Sequence, residues 1–69
     1  MTPNGDAIRA LRESQGMSLR TLATLTGRHR GHLSKLERGL AGASGETVGR
    51  IARALDVPEA AITHKETTT

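Results

Sequence analysis

Residues 18–39 read SLRTLATLTGRHRGHLSKLERG, and this stretch decides the fold. Two short helical patterns meet in it at a single glycine, Gly27. The first follows Ser18, a good N-cap residue, and carries apolar residues at helical spacing: Leu19, Leu22, Ala23 and Leu25. The second runs from about residue 30 to 38, with Leu33 and Leu36 facing inward. Two short helices joined by a glycine-containing turn predict a helix-turn-helix over about residues 18–38.

The outward side of the second helix is polar and basic. At about 100° per residue, the side opposite the leucines carries Arg30, Gly31, Ser34, Lys35 and Arg38. Arginine presents a fork that matches guanine O6 and N7, and lysine reaches the same acceptors as a point charge. A short helix held across another, with such a face exposed, has the shape to enter the major groove of DNA. The pattern therefore predicts a double-stranded DNA-binding protein with a recognition helix at about residues 29–38 and some preference for guanine.

The start of this helix is unusual for a segment that only needs to fold. Arg28, His29 and Arg30 put positive or potentially positive groups at the positive end of the helix dipole, and Gly31 is a poor helix former. A docked DNA phosphate explains both features, because helix N-termini bind anions. An exposed turn that tolerates arginine is the alternative. His29 and His32 share a face, but a metal site needs three or four ligands, so no metal site is expected.

Working outward, Asp6 is expected to cap a first helix, Ser44 a fourth, and Pro58 to open a brief fifth helix through about Ile62. No strand is expected. The predicted fold is all-α, a compact five-helix bundle. Its expected organisation is a flexible N-terminus over residues 1–5, one domain over 6–63 and a disordered tail over 64–69.

Composition excludes several classes of protein. The chain has 69 residues, no cysteine and no aromatic residue, so it lacks disulfides, thiolate metal sites and a platform for stacking single-stranded bases. The net charge of +3 is only a weak indication of a nucleic-acid partner. No long apolar run and no signal-peptide pattern occur, so a cytoplasmic, nucleoid-associated protein is expected. No catalytic grouping or glycine-rich phosphate loop stands out, so we expect no enzyme activity, no cofactor and no small-molecule ligand.

Three stretches carry a resemblance to a known family: IRALRESQGMS, LATLTGRHRGHLSKLERG and SGETVGRIARALDV. From about Ile8 to Ile62 the chain resembles the Cro and lambda-repressor-like (XRE) family of helix-turn-helix regulators. The resemblance implies a lambda-repressor-like DNA-binding domain and a bacterial transcriptional regulator, either a repressor or a phage- or plasmid-type control protein. It also implies a homodimer on a palindromic operator. Any dimer is expected to use the bundle itself, near the fifth helix.

The resemblance further assigns roles by position. It implies base contacts from Arg30, Gly31 and Lys35, with Ser34 between them, and phosphate contacts at the start of the second helix. It also implies a structural salt bridge between Arg12 and Glu37. The complete set of candidate DNA-binding residues is Ser18, Arg20, Arg28, His29, Arg30, Gly31, His32, Ser34, Lys35 and Arg38. Three of them depart from the family pattern: Arg28 stands where a small apolar residue is usual, His29 replaces the usual Ser or Thr cap, and Gly31 lacks a base-reading side chain. The Arg28 stem is expected to cover the core while its head reaches outward.

A protein-interaction module, such as an antitoxin or an adaptor, is the alternative function for the same fold. An extended apolar patch outside the core would favour it. Exposed leucines such as Leu40 are only a hint of such a patch.

Overall fold

The computed structural model describes residues 2–64. In chain order, the elements within that range are β1 (Thr2–Pro3), α1 (Gly5–Ser14), α2 (Leu19–Thr26), α3 (Arg30–Glu37), α4 (Gly45–Leu55), a 3₁₀ helix (Glu59–Ile62) and β2 (Thr63–His64). None of the helices in this range has the length and apolar character that a membrane span requires.

Side-chain caps fix the starts of three helices. The Ser18 hydroxyl accepts a hydrogen bond from the Thr21 amide at 3.0 Å, and the Ser44 hydroxyl accepts one from the Thr47 amide at 3.2 Å. Both residues were predicted as N-caps. The prediction of Asp6 as the first cap is wrong, because Asn4 caps α1 by accepting from the Ala7 amide at 3.2 Å. Regular helix therefore begins before Asp6.

The core lies between the helices and is entirely aliphatic. Its buried members come from all four α-helices and the 3₁₀ helix: Ile8, Leu22, Leu33, Leu36, Val48, Ile51, Ala52, Leu55 and Ile62. Leu25 does not belong to it, since 57% of its surface is exposed. Thr26 is buried instead, and its hydroxyl donates to the Leu22 carbonyl at 2.8 Å, which satisfies the polar group inside the helix.

The fifth helix and the chain ends differ from the sequence-based expectations. The described part holds four α-helices rather than five, because Glu59–Ile62 is a short 3₁₀ segment. β1 and β2 pair antiparallel, with Thr2 opposite His64 and Pro3 opposite Thr63, where a flexible N-terminus and no strand were predicted. The pairing places backbone groups of β1 against partners about 60 residues away, which local sequence does not encode. Within the predicted tail, His64 lies in β2, and residues 65–69 are outside the described residues.

Candidate nucleic-acid interface

Helix α3 has one buried side and one exposed side. Leu33 and Leu36 are each 1% exposed and anchor it in the core. Its remaining side faces solvent or is half-buried, through Arg30, Gly31, His32, Ser34, Lys35 and, at the C-cap, Arg38. The predicted polar face is therefore presented outward on a helix that the core holds firmly.

Arg30 and Lys35 are exposed and have no intramolecular ion pair among residues 2–64. Arg20, near the start of α2, is also exposed and also has no ion pair among residues 2–64. These three cationic groups are available to an anionic partner without breaking an interaction within the described chain. Arg38 is also exposed, and its Nε lies 3.4 Å from the Ser34 carbonyl, a long contact within the same helix.

Among the four α-helices of the described range, α3 alone has an N-cap residue whose side chain makes no capping hydrogen bond. His29 occupies the N-cap position without capping, whereas asparagine or serine caps the other three. The first N–H groups of an α-helix have no partner within the helix. At α3 they are left to solvent or to a bound group. His29 is exposed and His32 half-buried, and residues 2–64 contain no cluster of side chains that could hold a metal ion.

Ser18 serves as the N-cap of α2, so its hydroxyl is already engaged. It accepts from the Thr21 amide and donates to the Thr21 hydroxyl at 2.9 Å. The residue is exposed at the start of α2, beside Arg20.

Contrary to the sequence-based prediction, the head group of Arg28 does not reach outward. Its Nε donates to the Thr47 hydroxyl at 3.0 Å, and its Nη2 lies 3.9 Å from a carboxylate oxygen of Glu46. The head group therefore lies against the start of α4 instead of reaching outward. The partner hydroxyl is 19 positions away in sequence, so only the tertiary fold brings the two groups together.

A second arginine completes this link between the turn and α4. Arg50 donates to the Thr26 carbonyl at 3.1 Å and to Glu46 at 3.1 Å. It thus holds the C-terminus of α2, where Gly27 takes a left-handed conformation with φ of +66°. Sequence reasoning missed Thr47 and Arg50. The four-residue spacing of Glu46 and Arg50 was the available signal, but it indicated only a local pair on one helix.

Two contacts fix α3 against α1. The Arg12 Nε donates to Glu37 Oε2 at 2.7 Å and its Nη2 donates to Oε1 at 3.0 Å, a two-point pair between side chains only 13% and 6% exposed. The Arg12 Nη1 also donates to the Met17 carbonyl at 2.8 Å. The hydrogen bond with Glu37 raises the pKa of Arg12, so this guanidinium stays charged. Because Glu37 ends α3, the pair sets the direction of that helix.

The second contact is a close approach at Gly5. A Cβ at this position would collide with the Leu36 carbonyl oxygen and lie 2.6 Å from that of Glu37. Only glycine lets the start of α1 pass so near the end of α3. The sequence suggested a flexible lead-in here, since nothing local distinguishes a glycine that permits close packing from one that loosens a chain.

Comparisons with known proteins agree with this architecture. The family model described as Helix-turn-helix (HTH_3) matches residues 8–62. Among solved structures, the restriction-modification controller protein C.AhdI from Aeromonas hydrophila is 35% identical, with a TM-score of 0.80 over 83% of this chain and 86% of that one. No curated protein matches.

Two further structures are similar at comparable levels. The clp gene regulator ClgR from C. glutamicum is 38% identical, with a TM-score of 0.76 over 81% of this chain and 73% of that one. The master regulator for biofilm formation SinR, solved in complex with DNA, is 32% identical, with a TM-score of 0.77 over 81% of this chain and 90% of that one. The resemblance found in the sequence is confirmed. The chain belongs to the helix-turn-helix family HTH_3, of the XRE type.

Proposed function

We propose that this protein is a sequence-specific regulator of transcription that binds double-stranded DNA through α3 in the major groove. The observation that carries the proposal is the pair of exposed cationic side chains, Arg30 and Lys35, on a helix anchored by Leu33 and Leu36. Family membership supports it, as do similar proteins that are themselves described as regulators or controllers. A repressor or a phage- or plasmid-type control protein is the regulator class that we favour.

We assign the candidate residues different roles according to their exposure and their partners within the protein. Arg30 and Lys35 carry the base-reading chemistry, with Ser34 between them. Ser18, Arg20 and Arg38 flank this face, and the uncapped start of α3 at His29 suits a phosphate. The Arg28 head group is engaged with Thr47, so we assign it to holding the turn rather than to contacting bases.

A symmetric homodimer on a palindromic operator is part of the proposal. One eight-residue helix spans few base pairs, so a single copy reads too little sequence to select a site in a genome. Two copies on half-sites about one helical turn apart double the sequence that is read. Such a protein would act at the nucleoid in the cytoplasm. Neither the family match nor the similar structures support the alternative of an antitoxin or adaptor.

Selection of bound duplexes from a random pool tests the function, and a salt titration tests its electrostatic basis. We expect an enriched palindromic motif. Affinity for that duplex should fall about a thousandfold between 50 and 200 mM salt, because several arginine and lysine contacts displace counterions from the phosphates. Fluorescence anisotropy with the selected duplex measures this slope. Failure to enrich any sequence would contradict the function, and a salt-independent affinity would contradict phosphate docking.

Lys35→Ala is expected to relax sequence preference at one position of each half-site, at a cost of about 1–3 kcal/mol in discrimination there. Arg20→Ala is the matched control: it removes an equally unpaired cation from the neighbouring helix and should weaken all duplexes alike. Repeating the selection with both variants compares the motifs. A uniform loss across sequences for Lys35→Ala would reassign this residue to the phosphate backbone.

A further inference from the structure

The fold does not require glycine at residue 31. It is exposed, and an ideal Cβ built on it meets no heavy atom within 4 Å. Gly5 and Gly27 differ, because a close backbone contact explains the first and a φ of +66° explains the second. Gly31 lies in the regular helix α3, where glycine is a poorer helix former than alanine. Folding alone would thus favour a side chain at this position.

The position of Gly31 on the helix supplies a reason. Taking Arg30 as the origin and turning about 100° per residue, Gly31 lies near 100° and Lys35 near 140°. Ser34, the other short residue of this face, lies near 40°. Along the axis between Arg30 and Lys35 this surface therefore carries no long side chain, and the backbone itself forms its outermost part at Gly31. Arg38 lies near 80° but at the C-cap, beyond Lys35.

The dimensions of DNA make this bare surface consequential. The major groove is about 12 Å wide and about 8.5 Å deep, and a helix with its side chains is about 10–12 Å across. A helix enters this space with little clearance. A side chain that points at the groove floor between Arg30 and Lys35 either contacts a base edge or holds the helix away from it.

We propose that Gly31 is a positioning residue that sets how deeply α3 enters the major groove. This inference rests on the proposed DNA-binding function. With hydrogen as its side chain, the first turn of α3 comes against the base pairs, and Arg30 and Lys35 extend to guanine acceptors on either side. A side chain at residue 31 lifts the turn and lengthens both contacts together, since one rigid helix carries them.

Gly31→Ala and Gly31→Leu test this inference, with Gly49→Ala as the matched control. Gly49 lies in the middle of α4, and the nearest atom to an ideal Cβ there is a Glu59 carboxylate oxygen at 3.8 Å, an ordinary contact. Both alanine variants should raise Tm by about 2–5 °C, because alanine is the better helix former and both sites have room. Anisotropy with the duplex selected by the wild-type protein should show Gly31→Ala binding about tenfold more weakly, Gly31→Leu about a hundredfold more weakly and Gly49→Ala unchanged.

The outcomes separate this inference from the proposed function. A variant that is more stable yet binds its operator less tightly supports the positioning role, since a structural role would lower both quantities together. Binding of both residue-31 variants within about twofold of the wild type would overturn the inference while the DNA-binding function stands. If the wild-type protein selects no duplex, the proposed function itself fails. In the residue-31 variants, affinity for an unselected duplex should fall less than affinity for the selected one, because base contacts are lost before phosphate contacts.

Discussion

Gly5→Ala is expected to lower the free energy of unfolding by about 3 kcal/mol, which is more than half of the stability of a domain of this size. A Cβ at residue 5 collides with backbone carbonyl oxygens of Leu36 and Glu37, and backbone atoms have no alternative rotamer to adopt. Overpacking commonly costs about 1–3 kcal/mol even where side chains can yield. A domain of this size has only about 5 kcal/mol of total stability, so the loss is a large share of it. Urea unfolding followed by far-ultraviolet circular dichroism measures the change.

Gly45→Ala is the matched control for this prediction. Gly45 opens α4 as Gly5 opens α1, but it is exposed and an added Cβ meets nothing within 4 Å. We expect its free energy of unfolding to be unchanged or slightly raised, since alanine is the better helix former. Equal effects at the two positions would show that helix propensity, and not the contact between α1 and α3, determines the result at Gly5.

The elements that could be predicted from sequence are those with local signals. Ser18 and Ser44 cap α2 and α4 through side chains that bond three residues ahead, and Gly27 ends α2 in the left-handed conformation that glycine favours. These interactions span a few residues, so the sequence pattern contains them. The apolar spacing of α3 likewise placed Leu33 and Leu36 inside and left Arg30 outside.

The elements that could not be predicted depend on partners distant in sequence. Thr2–Pro3 form a strand only because Thr63–His64 lie beside them, and the buried Ile62 holds that segment in place. Asn4 and Asp6 are both good N-cap residues, but Asn4 is the cap because α1 already begins at Gly5, the residue that packs against the end of α3. Local propensity cannot decide between two acceptable caps two residues apart.

In the candidate site, too, the residues with local sequence signals were predicted and those with distant partners were not. The wheel of α3 predicted an outward cationic face, and Arg30 and Lys35 are exposed. Arg28 differs because its behaviour depends on Thr47 and Glu46, which α4 brings alongside the turn. A basic residue next to a recognition helix therefore needs its tertiary partners known before it is assigned to DNA.

Glu37→Leu is expected to lower the free energy of unfolding by about 3 kcal/mol, because it leaves the Arg12 guanidinium charged and largely buried without its carboxylate. The two side chains are only 13% and 6% exposed, and breaking such a pair from one side commonly costs about 3–5 kcal/mol. Arg12→Met should cost a similar amount, since it strands the carboxylate and also removes the donor to the Met17 carbonyl. Urea unfolding of each variant measures both losses.

The double variant Arg12→Met with Glu37→Leu decides what the pair contributes. Two apolar side chains of similar length leave no isolated charge, so we expect most of the stability to return and a coupling of at least about 2 kcal/mol. Stability and DNA binding should then separate. The double variant would fold, yet bind the selected duplex more weakly, because the two-point bond that fixes the direction of α3 against α1 is gone. Additive losses in the two single variants would argue against a direct interaction. Full DNA affinity in the folded double variant would show that core packing alone orients the recognition helix.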